Sequence, residues 1–175
     1  MDKAVDIEHN EYFMGVIKMK QVIIFSNSNQ NFALELERIE RIIEYIKPKK
    51  LPETADYIQG VIKYNEKVLP VIDLKKRLYG VDGEKKESSK IIVVLWKSAH
   101  LGIVVDDILG IRTIEEEAFE ESRIGEESIS SEYIRGFIKL EEDIIILMDT
   151  DKLFSFVQAK EILELEEESL EVMEA

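Results

Sequence analysis

Tyr57-Ile-Gln-Gly-Val-Ile-Lys-Tyr-Asn-Glu-Lys-Val-Leu-Pro-Val-Ile-Asp73 is echoed 76 residues later by Tyr133-Ile-Arg-Gly-Phe-Ile-Lys-Leu-Glu-Glu-Asp-Ile-Ile-Ile-Leu-Met-Asp149. Without a gap, seven of the 17 positions are identical, and most of the rest exchange one apolar residue for another. A period of this length means that one supersecondary unit is used twice. Within each copy a glycine (Gly60, Gly136) opens an apolar run, a polar tip follows, and a second apolar run closes at an aspartate (Asp73, Asp149). Two β-rich runs around a short turn-tolerant tip predict a β-hairpin. The closing aspartate stands where a helix N-cap would, its carboxylate available to an unpaired backbone N–H.

The repetition extends upstream of the hairpins. Lys90-Ile-Ile-Val-Val-Leu-Trp96 parallels residues 21–26, which contain the strand-like run Gln21-Val-Ile-Ile-Phe25. Leu101-Gly-Ile-Val-Val105 parallels Phe32-Ala-Leu-Glu-Leu36, and Asp106–Leu109 parallels Glu37–Glu40. Ser26–Asn31 is a turn by composition. Glu37–Glu44 is expected to form a short helical turn feeding a strand, Ile111–Glu115 a further strand, and Pro52–Asp56 a one-turn helix with proline at its start. Each half therefore holds about five short strands, enough to close a small barrel and hide its edges. The expected fold is all-β: two five-stranded barrels side by side, with short helices and a C-terminal helix. Subdomain 1 would span about 16–80 and subdomain 2 about 90–150, joined through the polar stretch Gly80–Lys90. The helix would cover about 151–170, packing an apolar stripe on its own barrel and fraying at its acidic end. Residues 1–12 read as a mobile lead-in, and 116–131 as an acidic, serine-rich connection.

Composition narrows the function. The 175 residues carry a net charge of −14 and no cysteine. Such acidity opposes sequence-independent nucleic-acid binding and docking on an anionic membrane. The lack of thiols excludes disulfides and thiolate chemistry. No apolar run approaches the roughly 18–20 residues of a membrane span, and no signal peptide is visible, so a cytoplasmic protein is expected. Catalytic constellations are poor. The two histidines, His9 and His100, are far apart, and Ser98-x-His100 lacks an orienting carboxylate. Asp106-Asp107 reads as a helix cap rather than a carboxylate pair, and Glu115–Glu121 as a solvated charge run. No catalytic residue, metal or cofactor is expected.

The hairpin Gly60-Val-Ile, followed by Val68-Leu-Pro-Val-Ile-Asp-Leu74, resembles the signature of the CheW family of bacterial chemotaxis coupling proteins. The likeness covers about residues 20–155. It implies two five-stranded SH3-like barrels and a non-catalytic adaptor linking the cytoplasmic tip of chemoreceptors to the regulatory domain of the histidine kinase CheA. By the same resemblance, Ile39, Gly60, Ile91, Ile108 and Gly136 would line a receptor groove between the barrels. Two positions depart from the family. Asn65 stands where the hairpin tip carries an arginine, and Arg41 where an acidic residue is usual. If those positions face one another, the cation comes here from the opposite side, which would suit a divergent receptor set or an auxiliary scaffold. The reading from a different class is a small-ligand sensing module, which requires an enclosed polar pocket in the inter-barrel cleft.

Overall fold

A computed structural model describes residues 19–121 and 132–174, with side chains up to residue 166. The expected lead-in, His9 and most of the acidic connection lie outside the described residues. The architecture is mainly β, in two sheets. The first has the order β8-β1-β2-β11-β10-β9 and the second β3-β6-β7-β5-β4. In sequence these are β1 (Met19–Asn27), β2 (Gln30–Glu35), β3 (Ile39–Glu44), β4 (Ile58–Tyr64), β5 (Lys67–Asp73), β6 (Lys90–Trp96), β7 (Ala99–Val105), β8 (Asp107–Glu115), β9 (Phe119–Glu121), β10 (Ile134–Leu140) and β11 (Asp143–Met148). Two α-helices join them, α1 (Leu74–Tyr79) and α2 (Phe156–Glu174).

The duplicated hairpins form in equivalent registers. Ile58 faces Ile72 in β4–β5, and Ile134 faces Met148 in β10–β11, each with a register shift just before its glycine. Asp73 N–H donates to the Tyr57 carbonyl and Asp149 N–H to the Tyr133 carbonyl, both at 2.8 Å. Both aspartates cap as expected. Asp73 accepts from the Lys76 N–H (3.1 Å), and Asp149 from the Asp151 N–H (3.0 Å) at the start of a 3-10 turn. Three hairpin tips, Ser28-Asn29, Asn65-Glu66 and Lys97-Ser98, hold both central residues at positive φ. That is the twist a two-residue hairpin turn needs.

The strands, however, are exchanged between the halves of the repeat. Hairpin β1–β2 is flanked by β8 and by the second-half hairpin β10–β11, whereas β6–β7 is flanked by β3 and by the first-half hairpin β4–β5. In each case the closing contact is parallel: Ile146 and Leu147 against Phe32 and Ala33, and Val71, Ile72 and Asp73 against Gly102, Ile103 and Val104. The expected division at residues 80–90 is therefore not where the sheets divide. The chain leaves the first sheet through the 3-10 turn Leu36–Arg38 and returns at Asp106, so the second sheet is the continuous run 39–105. Gly80–Lys90 stays within it, linking α1 to β6. At the return point Asp106 N–H donates to the Ser26 carbonyl (2.9 Å), and its carboxylate accepts from the Ser28 N–H (2.9 Å). These bonds pin the crossover to the β1–β2 turn.

Alternation along the strands builds three cores. Val22, Ile24, Ile138 and Leu147 fill the first sheet's unit, and Ile62, Val71, Ile91 and Val93 fill the second's. The opposite parity (Phe25, Phe32, Ile92, Val94, Trp96) meets between the two, joined by Leu153, Phe154, Ala159 and Ile162 from the C-terminal segment. Trp96 and Phe154 meet edge to face at 5.7 Å, and Phe25 and Phe32 stack at 5.7 Å. Helix α2 is thus part of the seam and packs against β5 of the second sheet, and not on the second-half barrel alone as its apolar stripe suggested. It starts at Phe156, after a reciprocal box in which Ser155 N–H donates to Gln158 Oε1 (2.9 Å) and Gln158 N–H to Ser155 Oγ (3.2 Å).

Two local expectations change. Pro52–Asp56 is a turn with Glu53 at φ 58°, not a helical turn. Asp106-Asp107 does not cap a helix, because β8 begins directly at Asp107.

Candidate docking surface

The exchange leaves two equivalent edge strands, β3 and β8, each paired on one side only among the described residues. Both carry a bulge at the same place. In β3, Ile39 faces Val94 and, after a register shift, Ile42 faces Ile92; in β8, Ile108 faces Phe25 and, after the shift, Ile111 faces Ile23. Directly opposed residues share a face of the sheet. Val94, Ile92 and Phe25 belong to the seam core, and so does Leu34, which faces Ile23 from the other side. The four isoleucines therefore border the seam as two matched pairs. Ile39, Ile42 and Ile108 are half-buried against the core, and Ile111 is 57% exposed. A stripe of this kind, apolar and open on edge strands, can accept an amphipathic helix.

Of the groove residues suggested by resemblance, Ile39 and Ile108 thus lie at the rim of the seam. The other three do not present a surface. Ile91 is fully buried, at 0% exposure, inside the second sheet. Strand parity is the reason: positions 92, 94 and 96 face the seam, while 91 and 93 face inward, and a one-residue offset exchanges the faces. Gly60 and Gly136 are buried where another segment crosses the hairpin. A Cβ on Gly60 would sit 2.1 Å from the Lys49 carbonyl oxygen, in the segment that bridges to Val61. On Gly136 it would meet the Phe119 ring at 2.4 Å and the Glu120 carbonyl at 2.5 Å. Their duplication reflects that crossing. The sequence contained a signal for the missed residues, since Ile42 and Ile111 repeat the spacing of Ile39 and Ile108.

Arg41 approaches the hairpin tip through Tyr64, the neighbour of Asn65. Asn65 is at the exposed β4–β5 tip, and Arg41 places its Cζ 5.9 Å from the ring centre of the adjoining Tyr64. A cation therefore reaches the hairpin tip from β3. Beside it Tyr64 Oη–H donates to Glu40 (2.7 Å), and the His100 Nε2 lies 3.0 Å from the other Glu40 oxygen. The hydrogen bond from Tyr64, more than the charges of His100 and Arg41, holds the Glu40 carboxyl below its ordinary range. Burial, followed by that same bond, pushes the Tyr64 phenol up. An open pocket of about 110 Å³ adjoins this group, bordered also by Lys67 and by Glu166 of α2.

His100 is engaged with Glu40, and Asp106 is tied to backbone and to Lys86 (3.5 Å). Among the described residues no group of three or more His, Asp or Glu could hold a metal, and no helix is long and apolar enough to cross a membrane. The junction that a small-ligand sensor would hollow out is filled by Phe25, Phe32, Trp96 and Phe154.

Comparison with known proteins gives a consistent answer. The CheW-like domain model matches residues 21–158. The chemotaxis protein CheW of Thermotoga maritima is 27% identical over 145 residues, covering 83% of this chain and 94% of the relative. That of Bacillus subtilis is 26% identical over 132 residues, covering 75% and 85%. Among solved structures, the scaffolding protein TtCheW from Thermoanaerobacter tengcongensis superimposes with a TM-score of 0.73 at 26% identity, covering 81% of this chain and 96% of that one.

Proposed function

This chain belongs to the CheW-like domain family, and on that premise we propose that it is a non-catalytic chemotaxis adaptor joining chemoreceptors to the histidine kinase CheA. Its finer partners are the helical tip of the receptor and the regulatory domain of the kinase, met in the cytoplasm. The observation that carries the docking mode is the matched pair of isoleucine pairs bordering the seam, Ile39 and Ile42 on β3, Ile108 and Ile111 on β8. A receptor-tip helix laid along them would bury apolar area at roughly 25 cal/mol per Å² without disturbing the core beneath. An adaptor of this kind needs two separable surfaces and no chemistry of its own. The sparse histidine supply and the packed junction agree with that.

The test is direct binding of the purified chain to a receptor-tip helical hairpin and, separately, to a CheA regulatory domain. Binding to both, with simultaneous occupancy in a ternary mixture, is the expected result. Binding to neither refutes the assignment, and mutually exclusive binding refutes the two-surface arrangement.

A further inference from the structure

The two units of the repeat carry opposite charge, and they differ most at one duplicated position. The second sheet's run, residues 39–105, holds 13 Lys and Arg against nine Asp and Glu, a net +4 in a chain of −14. The described segments of the first sheet's unit, 19–38, 106–121 and 132–148, hold five against 13, a net −8. The opposition is sharpest where a segment crosses each glycine hairpin. Lys49 forms an antiparallel bridge with Val61 of β4, and Glu120 pairs with Phe137 of β10, the residue 76 positions on from Val61. Lys49 and Glu120 are therefore equivalent in the repeat. So are Lys50, which lies against Gly60, and Glu121, which pairs with Gly136. Lys63 of β4 likewise corresponds to Lys139 of β10, and Lys139 is neutralised by Glu120 (2.6 Å). Across the other crossing Lys63 meets only lysines. Lys47, Lys49, Lys50 and Lys63 are all exposed, and none forms an ion pair among the described residues. Glu115, Glu116, Glu117 and Glu121, at the matching place on the first unit, are also exposed and without an ion pair among the described residues.

We propose that these two patches bind each other between copies of this chain, the lysine crossing of one copy docking on the glutamate run of a second. Both sides of the contact belong to this molecule, so its charge complementarity is read from described residues alone. Like-on-like pairing of the duplicated position would set lysine against lysine or glutamate against glutamate. Only the crossed pairing, second unit on first unit, joins opposite charges. It also supplies the anions that Lys63 and its neighbours lack within one chain. Ile46, 53% exposed beside Lys47, adds an apolar contact to the lysine side. The inference does not rest on the adaptor reading, because it needs no protein other than this one. Exposed charge contacts of this kind are screened by salt, and they act on association rate and choice of partner.

The experiment is sedimentation velocity of the full chain over a range of concentrations, at low and physiological salt. Wild type is compared with Lys49→Glu/Lys50→Glu, with Glu117→Lys/Glu121→Lys, and with an equimolar mixture of those two variants. Wild type should associate at low salt and less so as salt rises. Each charge-reversed variant alone should associate at least about tenfold more weakly. Mixing them should restore association to within about threefold of wild type, because each reversed patch then meets its opposite. A merely structural loss would not be rescued in this way. Lys47→Gln/Lys63→Gln, which removes two cations without reversing any, should give a smaller loss of about threefold. A wild type that stays monomeric at low salt up to its solubility limit overturns the proposal. So does association that neither reversal weakens, or a mixture that associates no better than its parts. A reversal that weakens binding of a CheA regulatory domain while leaving self-association intact would give the patch to that partner, and overturns the proposal too.

Discussion

Replacing Gly60 with alanine separates the two roles that this glycine could have. Its φ of +141° is a conformation that L side chains rarely adopt, which by itself costs about 1–3 kcal/mol. The added methyl would also stand 2.1 Å from the Lys49 carbonyl oxygen and 2.6 Å from its carbon. Those are backbone atoms, so relief requires the crossing segment to move and the Lys49–Val61 bridge to open. That adds about 1–3 kcal/mol of overpacking. A loss of roughly 2–6 kcal/mol is expected for Gly60→Ala, a large part of the roughly 5–15 kcal/mol that a domain usually holds. Gly80→Ala is the control. Gly80 also has positive φ (+71°), but nothing lies within 4 Å of its Cβ position, so only the left-handed penalty of about 1–2 kcal/mol applies. Urea unfolding followed by the single tryptophan, Trp96, buried in the seam, reads both. The midpoint should fall with the slope unchanged. If Gly60→Ala unfolds at the wild-type midpoint yet no longer binds the receptor tip, the crossing argument is wrong and Gly60 belongs to the docking surface after all.

Three further outcomes are expected. Ile111→Glu, at a position 57% exposed, should leave stability within about 0.5 kcal/mol while weakening receptor-tip binding at least about tenfold; normal affinity would remove β8 from the docking surface. Glu66→Gly relieves a non-glycine residue at φ 63° in the β4–β5 turn and should raise stability by about 0.5–1 kcal/mol, seen as a higher urea midpoint. Burial pushes the Tyr57 phenol up to about 12, with nearby Glu161 adding to the shift. The folded state thus holds its proton more tightly than the unfolded one. The associated stability is full below about pH 10, the ordinary tyrosine value, and is lost as pH rises through about 12. Tyr57→Phe should flatten the alkaline fall in stability across that window, and an unchanged slope would show that another group governs it.

Much of this fold could be read from one chain because a duplicated sequence carries its own alignment. Tyr57–Asp73 and Tyr133–Asp149 specify the same hairpin, register shift and aspartate cap, all local consequences of strand alternation and turn chemistry. The paired Ile39 and Ile108 were visible for the same reason. Other features were not legible. Ile91 and Ile92 are both isoleucine in a run of apolar residues buried on both faces, so nothing local tells which one turns to the seam. The glycines were carried over as docking positions by the family resemblance, and their crossing segments, Lys49 and Phe119-Glu120, share no sequence pattern that would have shown the close approach.

The amino-acid sequence by itself determined the main β-rich runs, the twofold repetition and the turn positions. Each of these depends on interactions within a few residues or on residue type alone. Only the tertiary structure decided that the halves exchange strands, that the second sheet is the run 39–105, and that β3 and β8 become the matched open edges. The physical reason is that strand pairing is long-range. A β-rich run carries the same hydrogen-bonding groups whichever partner it meets, so the choice falls to the collective packing of Phe25, Trp96, Phe154 and their neighbours between the sheets.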